Sequence, residues 1–468
     1  ASHGRPRGAP ALSPPPPCEA CTARRAGLNG TLDLSADVIV VGGGVSGLVT
    51  AAELAAGGAA VILVEARERL GGRVWTQRFG AEPAAVAELG AEFVHGGSSA
   101  LRELLHAGRV RTRAADSSLW WWSGGTLERL ADFWERVGRV ADQIPARSRG
   151  WSFDDFLAHR GDRIDPADRD QARHYVQSFN AAPAGRLAAQ PLRENRAGAD
   201  EDDLFVVNGY DRVVHALERR CRKAGVDLRS GTTVARLAWR RRHVVVTCTT
   251  TGKRSRAAFK LSARAAVVTV PLGVLRSGGV RFVPALTEKA ACVRTMGWGH
   301  VSRLTLRFRE TVWAESWLPE PLRAARGRGF GFVNAPQLPL PVWWSPKPPQ
   351  PLLVGWAGGP AAQRLARLGP AGLRRAAVES LARLAGVPQS RVRRDLLESI
   401  THDWSADPFS RGAYSFVAAG AEAGPQELGR PVGDTLFFAG EATADDPGTV
   451  HGAIASGLRA AREVSRAG

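Results

Sequence analysis

The sequence predicts an α/β fold organised around one strand, a glycine-rich turn and a helix. The β-branched apolar run from Asp37 to Val41 is typical of a buried parallel strand. It ends in the glycine-rich turn from Gly42 to Gly47, and the Ala- and Leu-rich segment from Ser46 to Ala56 is typical of a helix. A second apolar strand, from Val61 to Val64, ends on Glu65. These observations predict a strand, turn, helix and strand unit within a parallel sheet.

The spacing of the glycines gives each of them a physical task. Gly42 makes the tight turn, Gly44 lets the backbone approach a pyrophosphate, and Gly47 lets the helix pack closely on the strand. The start of the helix offers N–H groups and a partial positive charge to phosphates. Glu65 follows the first glycine by roughly 20 residues, where a carboxylate accepts from a ribose hydroxyl and repels a 2′-phosphate. The unit therefore predicts Rossmann-like dinucleotide binding that disfavours NADP.

The segment after Glu65 narrows the type of dinucleotide. Arg67 comes first, and then a second glycine pair, Gly71 and Gly72, is followed by Arg73. A close backbone approach beside an arginine fork suits a phosphate. The segment resembles the GGR segment of the flavin-containing amine oxidases, the FAD-dependent monoamine and polyamine oxidases related to lysine-specific histone demethylases. The resemblance implies FAD as the cofactor and a Rossmann-like, glutathione-reductase-like FAD-binding domain with an inserted α+β substrate-binding domain.

The resemblance covers residues 36–468 and implies two discontinuous domains. The FAD-binding domain is expected to consist of residues 36–97, 205–290 and 401–468, and the substrate-binding domain of residues 98–204 and 291–400. Residues 1–35 are rich in Pro, Ala, Gly and Arg and are expected to form a flexible leader. Its Cys18 and Cys21 form a CxxC without a second pair, so no metal site is predicted.

The charge and hydropathy of the chain bear on whether it binds nucleic acid or crosses a membrane. The 468 residues include 63 Lys and Arg against 45 Asp and Glu, for a formal net charge of +18. The basic residues form short clusters such as Arg219-Arg220, which indicates a solvated basic surface and disfavours a nucleic-acid partner. No apolar run reaches the roughly 18 residues of a membrane span, so the body is expected to be soluble. Oligomeric state and compartment stay open.

The stretch around Gly90 predicts one wall of the site. Gly90 and Ala91 are small enough for the backbone to approach a flat ring, and Glu92 and His95 follow closely. In the amine oxidases the matching LGA turn passes the flavin ring, so the resemblance implies that Glu92 and His95 face the substrate. His95 has an alternative interpretation as an ordinary turn histidine.

A departure from the family occurs in the predicted strand from Gly297 to Phe308. That strand resembles the family strand which carries an active-site lysine, and Arg303 takes the place of the lysine. The lysine holds a water at flavin N5 and is tied to the reaction with oxygen. Arginine keeps the charge but is planar and stays protonated. With the alignment shifted by one, Ser302 would occupy the place instead.

Further cofactor-binding residues follow from matching segments. The family implies that the backbone of Val234 holds adenine, that Trp404 packs against the flavin, and that Tyr414 points toward it. Near the end of the chain, the resemblance places Gly440 and Glu441 at the ribityl and phosphate region, and Thr449 and Val450 at the isoalloxazine. Before Val234, the run from Phe205 to Val214 predicts a helix start, and Trp344 is a candidate for an aromatic substrate corridor.

The resemblance implies an amine oxidase acting on a small-molecule amine and oxygen. The aromatic residue that precedes the proline in the family, where it forms one wall of the amine cage, is missing before Pro447. The net charge of +18 disfavours the approach of a polycation, and acids such as Glu92, Asp445 and Asp446 are expected to reverse that field at the pocket mouth. We expect oxidation of an amine or polyamine through an imine to an aldehyde, with hydrogen peroxide released. The alternatives are an L-amino-acid oxidase that uses Arg303 for the carboxylate, a desaturase, and a basic binding protein with a structural flavin.

Overall fold

The part of the chain described by the structure, a computed structural model, extends from residue 32 to the C-terminus with several gaps. Residues 1–31 of the predicted leader, with the Cys18 and Cys21 pair, lie outside it. Residues 32–35, which were assigned to the leader, belong to a strand instead, because they continue the pairing of that strand with residues 260 and 261. The described residues are 32–79, 85–96, 98–114, 118–194, 204–250, 258–309, 317–323, 329–346 and 350–468.

The strands of the described residues range from two to eleven residues in length. They are β1 Leu32–Val41, β2 Val61–Val64, β3 Thr76–Phe79, β4 Ala85–Glu88, β5 Phe93–Val94, β6 Thr112–Ala114, β7 Leu119–Ser123, β8 Thr126–Arg129, β9 Leu204–Val206, β10 Asp227–Arg229, β11 Thr232–Arg240, β12 His243–Thr250, β13 Ala258–Val268, β14 Arg281–Val283, β15 Gly297–Trp298, β16 Val301–Phe308, β17 Phe332–Asn334, β18 Val342–Trp344, β19 Leu352–Gly358, β20 Leu396–Ile400, β21 Ser415–Phe416 and β22 Leu436–Phe438.

The helices alternate with these strands, and the longest ones lie near the C-terminus. They are α1 Val45–Ala56, α2 Ser99–Ala107, α3 Phe133–Asp142, α4 Phe153–Arg160, α5 Pro166–Phe179, α6 Gln190–Glu194, α7 Asp211–Lys223, α8 Leu272–Arg276, α9 Thr287–Thr295, α10 Glu320–Arg323, α11 Gly359–Ala366, α12 Gly369–Ala385, α13 Gln389–Asp395, α14 Gly424–Gly429 and α15 Val450–Ala467. Within the described ranges, no helix combines the length and apolar character needed to cross a bilayer.

The larger sheet joins both ends of the chain. Its parallel part has the strand order β10, β2, β1, β13 and β22. Strands β12 and β11 continue from the first half of β13 as an antiparallel pair, and β14 pairs with β11. Val268 at the end of β13 is in register with Val41 of β1 on one side and with Phe438 of β22 on the other. The carboxyl ends of three strands from distant parts of the sequence therefore meet at one edge, where open parallel sheets bind ligands.

Each face of this sheet buries its own apolar core. Val38 and Val40 pack with α1, α7 and α15 on one face, whereas Ile39 and Val41 pack on the opposite face with residues of β11, β12 and β13. Successive residues of a strand point to opposite faces, and a parallel strand covered on both faces is apolar throughout. This burial explains why the run that ends at Val41 is continuously hydrophobic.

Helices α1 and α15 pack side by side through a small residue. A Cβ atom at Gly457 would lie 2.6 Å from the carbonyl oxygen of Ser46, and the hydroxyl of Thr50 donates to the Gly457 carbonyl at 3.1 Å. Two helix backbones approach this closely where a side chain is missing at the contact. The glycine therefore brings the C-terminal helix against the first helix of the chain.

A second sheet combines two separate parts of the chain. Its strand order is β20, β16, β19, β18, β17, β7 and β8. Strands β7 and β8 come from the first predicted substrate-domain segment and the other strands come from the second, with β17 joined to β7 in parallel. Helices α11, α12 and α13 cover this sheet, and its core contains Leu306, Phe308 and Trp343. The predicted domain boundaries themselves stay a prediction.

Several element boundaries differ from those predicted. Strand β2 matches the prediction, while β1 starts at Leu32 and α1 at Val45. The run from Phe205 to Val214 was predicted to open a helix, and α7 begins within it at Asp211, while Phe205 itself lies in β9, which pairs with β5 and β6. The single predicted strand from Gly297 is interrupted after Trp298, where the backbone N–H of Gly299 donates to the Tyr414 carbonyl at 2.8 Å.

We predict that Gly457→Ala destabilises the protein although alanine is the better helix former. The added Cβ would overlap the Ser46 carbonyl, so the free energy of unfolding should fall by about 1–3 kcal/mol. Urea unfolding followed by circular dichroism measures the change. Gly57→Ala is the matched control, because its Cβ would meet only ordinary contacts at 3.4 Å. Equal stability of both variants would contradict the close packing of α1 and α15.

Candidate active site

The first glycine turn is shaped by close contacts. Gly42 has φ of 113°, a conformation that side chains rarely adopt, and a Cβ at Gly47 would lie 1.9 Å from the Gly42 carbonyl oxygen. A Cβ at Gly44 would have no atom within 4 Å. Gly42 and Gly47 are thus required for the turn and its packing, while Gly44 borders open space, and its approach to a pyrophosphate stays a prediction.

Glu65 lies directly beneath this turn. Its carboxylate accepts from the backbone N–H of Gly43 at 2.7 Å and from that of Arg67 at 2.8 Å, and Glu65 is 4% exposed. A buried carboxylate is held in place by such bonds, and each oxygen keeps a further lone pair. The proposed bond to a ribose hydroxyl is therefore compatible with the contacts that Glu65 already makes.

The N-terminus of α1 has no side-chain cap. Gly44 is the N-cap, and no side chain caps the helix, although Val45 is 6% and Ser46 is 5% exposed. The first N–H groups of a helix have no acceptor within the helix, and a buried helix end without a cap is unusual. This helix end therefore fits an anionic group such as a phosphate.

The second glycine pair lies against the first turn. The N–H of Gly71 donates to the Gly43 carbonyl at 2.8 Å, and a Cβ at Gly72 would lie 3.3 Å from the Cα of Gly44. Gly71 and Gly72 have φ of 94° and 57°. The structure therefore brings the two glycine motifs together beside the uncapped helix.

Two arginines tie this region to the C-terminal part of the chain. Arg67 pairs with Asp407 at 2.7 Å, while Arg73 donates to Glu441 at 2.8 Å and to the Ala413 carbonyl at 2.7 Å. Burial raises the pKa of Asp407, but bonds from His402 and Arg67 outweigh it and hold that pKa well below its usual range. Arg67 thus has protein partners at the position where a cofactor contact was predicted, and its cofactor role stays a prediction.

The C-terminal candidates form one continuous segment. The carboxylate of Glu441 also accepts from the Ser415 hydroxyl at 2.6 Å and from the Gly448 N–H at 2.8 Å. Gly440 has φ of 131°. Thr449 is the N-cap of α15, since its hydroxyl accepts from the backbone N–H of Gly452, and Val450 is the first residue of that helix. A helix N-terminus favours negative charge nearby. The predicted contacts of Gly440, Glu441, Thr449 and Val450 with FAD stay predictions.

The side chain of Val234 is buried, while part of its backbone lies outside the strand pairing. It is 6% exposed and packs in the core beneath the sheet, and β11 has a bulge between Val234 and Arg236. On one side, Val234 pairs with Cys248 of β12. On the other side of β11, the pairing with β14 starts only at Arg236, so β14 does not cover the backbone of Val234. This position is compatible with the predicted backbone contact to adenine.

The Gly90 turn is fixed by tight packing. A Cβ at Gly90 would lie 1.8 Å from the carbonyl oxygen of Arg73, and the N–H of Ala91 donates to that same oxygen at 3.2 Å. The indole of Trp404 donates to the Leu89 carbonyl at 2.7 Å. Gly90, Ala91 and Trp404 are therefore neighbours, and they lie next to the second glycine motif through Arg73.

Arg303 forms a buried ion pair with Glu92. Its Nη2 lies 2.8 Å from a Glu92 carboxylate oxygen, its Nη1 donates to the Gly90 carbonyl at 3.3 Å, and its guanidinium lies 5.5 Å from the ring centre of Trp344. Arg303 is 6% and Glu92 is 7% exposed. Ser302 points elsewhere and donates to the Ala362 carbonyl at 3.1 Å. Of the two residues, Arg303 is the one beside the predicted flavin wall.

Glu88, which was not predicted, adds a second acid to this pair. Its carboxylate accepts from the Tyr210 N–H at 2.8 Å and from the Thr76 hydroxyl at 2.7 Å. Burial is the main cause that raises the pKa of Glu88 to about 7, with the Glu92 charge as a smaller cause. Glu88, Glu92 and Arg303 line one cavity together. Glu88 could have been recognised as a site residue from the sequence, because it directly precedes the Leu89-Gly90-Ala91 turn.

An aromatic cluster continues from Arg303 into the second sheet. The ring centre of Phe93 lies 6.0 Å from that of Trp344, 4.6 Å from that of Phe205 and 5.9 Å from that of Phe332. The ring centres of Trp344 and Trp356 are 6.1 Å apart. The indole nitrogen of Trp344 is buried without a hydrogen-bond partner among the described residues. The side chain of Trp344 therefore presents an unused donor within an apolar wall.

A second aromatic group connects this cluster to the surface. His95 lies 5.8 Å from Phe93 and 5.9 Å from Phe179, which is 49% exposed and stacks on Tyr175 at 5.3 Å. The hydroxyl of Tyr414 donates to the Phe179 carbonyl at 2.6 Å. Burial, and then the neighbouring Tyr175 and Glu441, raise the pKa of Tyr414 above its usual range. Tyr414 is thus a neutral donor at ordinary pH, and its bond fixes the end of α5.

The chain belongs to the family described as flavin containing amine oxidoreductase, whose sequence profile matches residues 45–133 and 126–465. The family is flavin-containing, and FAD is accordingly the cofactor of the chain. The residues present fit such a group, because an uncapped buried helix end and the open space at Gly44 meet at the glycine turns.

Curated relatives include both demethylases and oxidases. The chain is 28% identical over 454 residues to "Lysine-specific histone demethylase 1 homolog 2" of Arabidopsis thaliana, covering 91% of this chain and 58% of that protein. It is also 28% identical over 467 residues to "Polyamine oxidase 2" of the same organism, covering 92% of this chain and 88% of that protein. The chain thus spans somewhat more than half the length of the demethylase relatives.

Solved structures of putrescine oxidase share the fold. The wild-type enzyme bound to putrescine superposes with a TM-score of 0.74 at 20% identity, over 92% of this chain and 99% of that chain. A triple mutant of the same enzyme gives a TM-score of 0.75. The chain therefore has the mixed α/β fold of FAD-dependent amine oxidase structures.

We predict that Gly44→Ala weakens FAD binding without unfolding the protein. The new methyl group meets no protein atom and φ is −72°, so the free energy of unfolding of the flavin-free protein should change by less than about 1 kcal/mol. The dissociation constant of FAD should rise roughly tenfold or more. Fluorescence titration of the flavin-free protein measures it. Gly57→Ala, at the other end of the same helix, should bind FAD normally.

We predict that Glu88 makes stability depend on pH. The pKa of Glu88 is higher in the folded protein than in the unfolded chain, so its contribution to the free energy of unfolding is present below about pH 4.5 and is lost as the pH rises through about 7. When the pH is raised from about 5 to about 8, the free energy of unfolding of Glu88→Gln should therefore increase by roughly 2–3 kcal/mol relative to that of the native protein. Urea unfolding at both pH values tests this, with the half-exposed Glu53→Gln as control. A constant difference would contradict the buried titration.

Proposed function

We propose that this chain is an FAD-dependent amine oxidase acting on a primary or secondary amine or a polyamine. The observation that carries the proposal is the Arg303 and Glu92 pair, buried beside the Gly90 turn and continued by aromatic side chains to the surface. Bound FAD would supply a hydride acceptor, flavin N5, for the α-carbon of the amine; hydrolysis of the imine would then give an aldehyde, and oxygen would accept the two electrons to give hydrogen peroxide.

The chain would hold the flavin in a Rossmann-like, glutathione-reductase-like domain. The donors at the N-terminus of α1 would bind the pyrophosphate, Glu65 the ribose and the Val234 backbone the adenine. The turn at Gly90 and Ala91 would border the ring system, with Trp404 behind it. The C-terminal segment from Gly440 to Val450 would face the other side of the flavin. These assignments are supported by the way the structure gathers the predicted residues at one edge of the parallel sheet.

The aromatic side chains would orient the amine and exclude water. Phe93, Trp344 and Phe332 form an apolar wall next to Arg303, and His95 with Phe179 continues it outward. Such rings favour an amine that arrives with an apolar neighbour, and exclusion of water strengthens electrostatic interactions in the site. The names of the relatives, which refer to polyamines, putrescine and lysine, point to amines as the substrate class.

One acid near the site has a counter-charge. Glu92 pairs with Arg303, whereas Asp445 accepts from the neutral amide of Gln426 and Asp446 contacts the ring of His451. A hydrogen bond from a neutral amide leaves the charge of a carboxylate in place, and Asp445 and Asp446 are exposed, so they attract an approaching cation. The site is therefore compatible with a monoamine and with a polyamine.

An amino-acid oxidase is less well supported. It would need an arginine free to bind the substrate carboxylate, whereas Arg303 is held by Glu92 and by the Gly90 carbonyl. A substrate carboxylate would have to displace Glu92 and leave that acid buried without its counter-charge, which is costly.

The test is anaerobic mixing of the flavin-loaded protein with a panel of monoamines, polyamines and L-amino acids. We expect loss of the yellow flavin absorbance with an amine and formation of the matching aldehyde. Bleaching by amino acids alone would replace the proposal with the amino-acid oxidase. No bleaching by any member would favour a flavin with a structural role.

We predict that Arg303→Lys speeds reoxidation of the reduced flavin by oxygen. Arginine is planar, never deprotonates and is offset here by Glu92, whereas lysine is a compact charge that can hold water. The rate measured by stopped flow in oxygenated buffer should rise roughly tenfold or more.

The control is Arg307→Lys on the same strand, because Arg307 pairs with Glu398 near the surface at 2.8 Å. Its reoxidation rate should equal that of the native protein. An unchanged rate in Arg303→Lys would count against a role of this position in oxygen reactivity, while leaving amine oxidation itself untouched.

A further inference from the structure

An open cleft lies between the end of α2 and the exposed side of α7. Its volume is about 760 Å³, and none of the predicted flavin- or amine-binding residues lines it. The lining consists of Arg78, Ala107, Gly108, Arg109, Asp211, Arg212, His215 and Arg219. Four of these eight residues are arginines, so the cleft is a concave, basic feature that the amine oxidase reaction does not use.

Three of the arginines are fixed by bonds to protein oxygens. Arg78 binds both carboxylate oxygens of Asp211, at 2.8 and 3.2 Å. The Nε of Arg212 donates to the Asn208 carbonyl at 3.2 Å, and an Nη of Arg219 donates to the Ala107 carbonyl at 3.3 Å. Each bond occupies part of a guanidinium and leaves further N–H groups of the fork available. The arginines are therefore held in place before any ligand arrives.

The fourth arginine sits in an uncommon backbone conformation. Arg109 has φ of 51°, in the left-handed region that favours glycine or asparagine. Its N–H donates to the His106 carbonyl at 2.9 Å and its carbonyl accepts from the Asn208 side chain at 3.0 Å, while its own side chain is exposed. The N–H of Val110 also donates to the Leu105 carbonyl at 2.8 Å, so this conformation ends α2, and Arg109 lines the cleft from the end of that helix.

The charge of the cleft is not balanced by its own residues. Asp211 is the acid among the lining residues, and it is bound to Arg78. Arg109, Arg212 and Arg219 therefore retain three positive charges around one concave space, with His215 between them on α7. Guanidinium forks match phosphate oxygens in geometry, and a partly enclosed site strengthens the attraction.

We propose that this cleft binds a compact, multiply charged phosphate anion, such as the di- or triphosphate group of a small molecule. The small extent of the cleft, which eight residues line, favours a small ligand over a nucleic acid, because a specific duplex complex buries on the order of 1,000 Å² or more of protein surface. The site is separate from the flavin turns and would bind its ligand in the FAD-loaded protein. Its occupation does not depend on which amine is oxidised.

The test is titration of inorganic tripolyphosphate into FAD-loaded protein, followed by calorimetry at about 0.15 M salt. With FAD already bound, its own phosphate site is closed to the probe. We expect saturable binding with one site per chain. Arg109→Asn and Arg219→Ala should each weaken it roughly tenfold. Asparagine tolerates the left-handed backbone of position 109, so that variant should keep its melting temperature.

Arg222→Ala is the matched control, since Arg222 lies on the same helix but pairs with Glu218 at 2.7 Å and does not line the cleft. It should bind tripolyphosphate like the native protein. Absence of saturable binding, or equal weakening in the control, would overturn the proposal. A short DNA duplex that displaces tripolyphosphate and binds more tightly would also overturn it, in favour of a nucleic-acid surface.

Discussion

The meeting of both chain ends at the last residues of β13 is the constraint on which the rest of the structure depends. One edge of β13 pairs with β1 and the other with β22, so that Val41 and Phe438 flank Val268. The salt bridge from Arg73 to Glu441 and the contact of α1 with α15 at Gly457 fasten the same two ends. Without this arrangement the glycine turns and the C-terminal helix would form two incomplete halves of a site.

The second determinant of the site is a small group of buried charges. Arg303 neutralises Glu92, while Glu88 lies behind them with its pKa raised to about 7, mainly by burial. A buried ion pair costs desolvation energy that it only partly recovers, so such a group is kept for positioning more readily than for stability. Arg303 is thereby turned toward the Gly90 carbonyl and the face of Trp344, and away from solvent.

The local parts of the site were predictable because they follow from short-range rules. The glycine spacing requires a tight turn and a close helix approach, and the structure has both at Gly42 and Gly47. The run from Phe205 to Val214 does open a helix at Asp211, but its first residues form β9, because pairing with β5 and β6 overrides the local pattern there. Glu88 was overlooked because its raised pKa arises from burial among residues distant in sequence.

The sequence by itself determined the family, the flavin cofactor and the glycine turns, since these depend on residue identity and spacing within a few tens of residues. The tertiary structure alone decided that Arg303 is paired with Glu92, that Phe93 joins Trp344 in one aromatic wall, and that four arginines surround one cleft. Those facts depend on contacts between segments that are far apart in the chain, and no local pattern records which distant side chain will share a buried space.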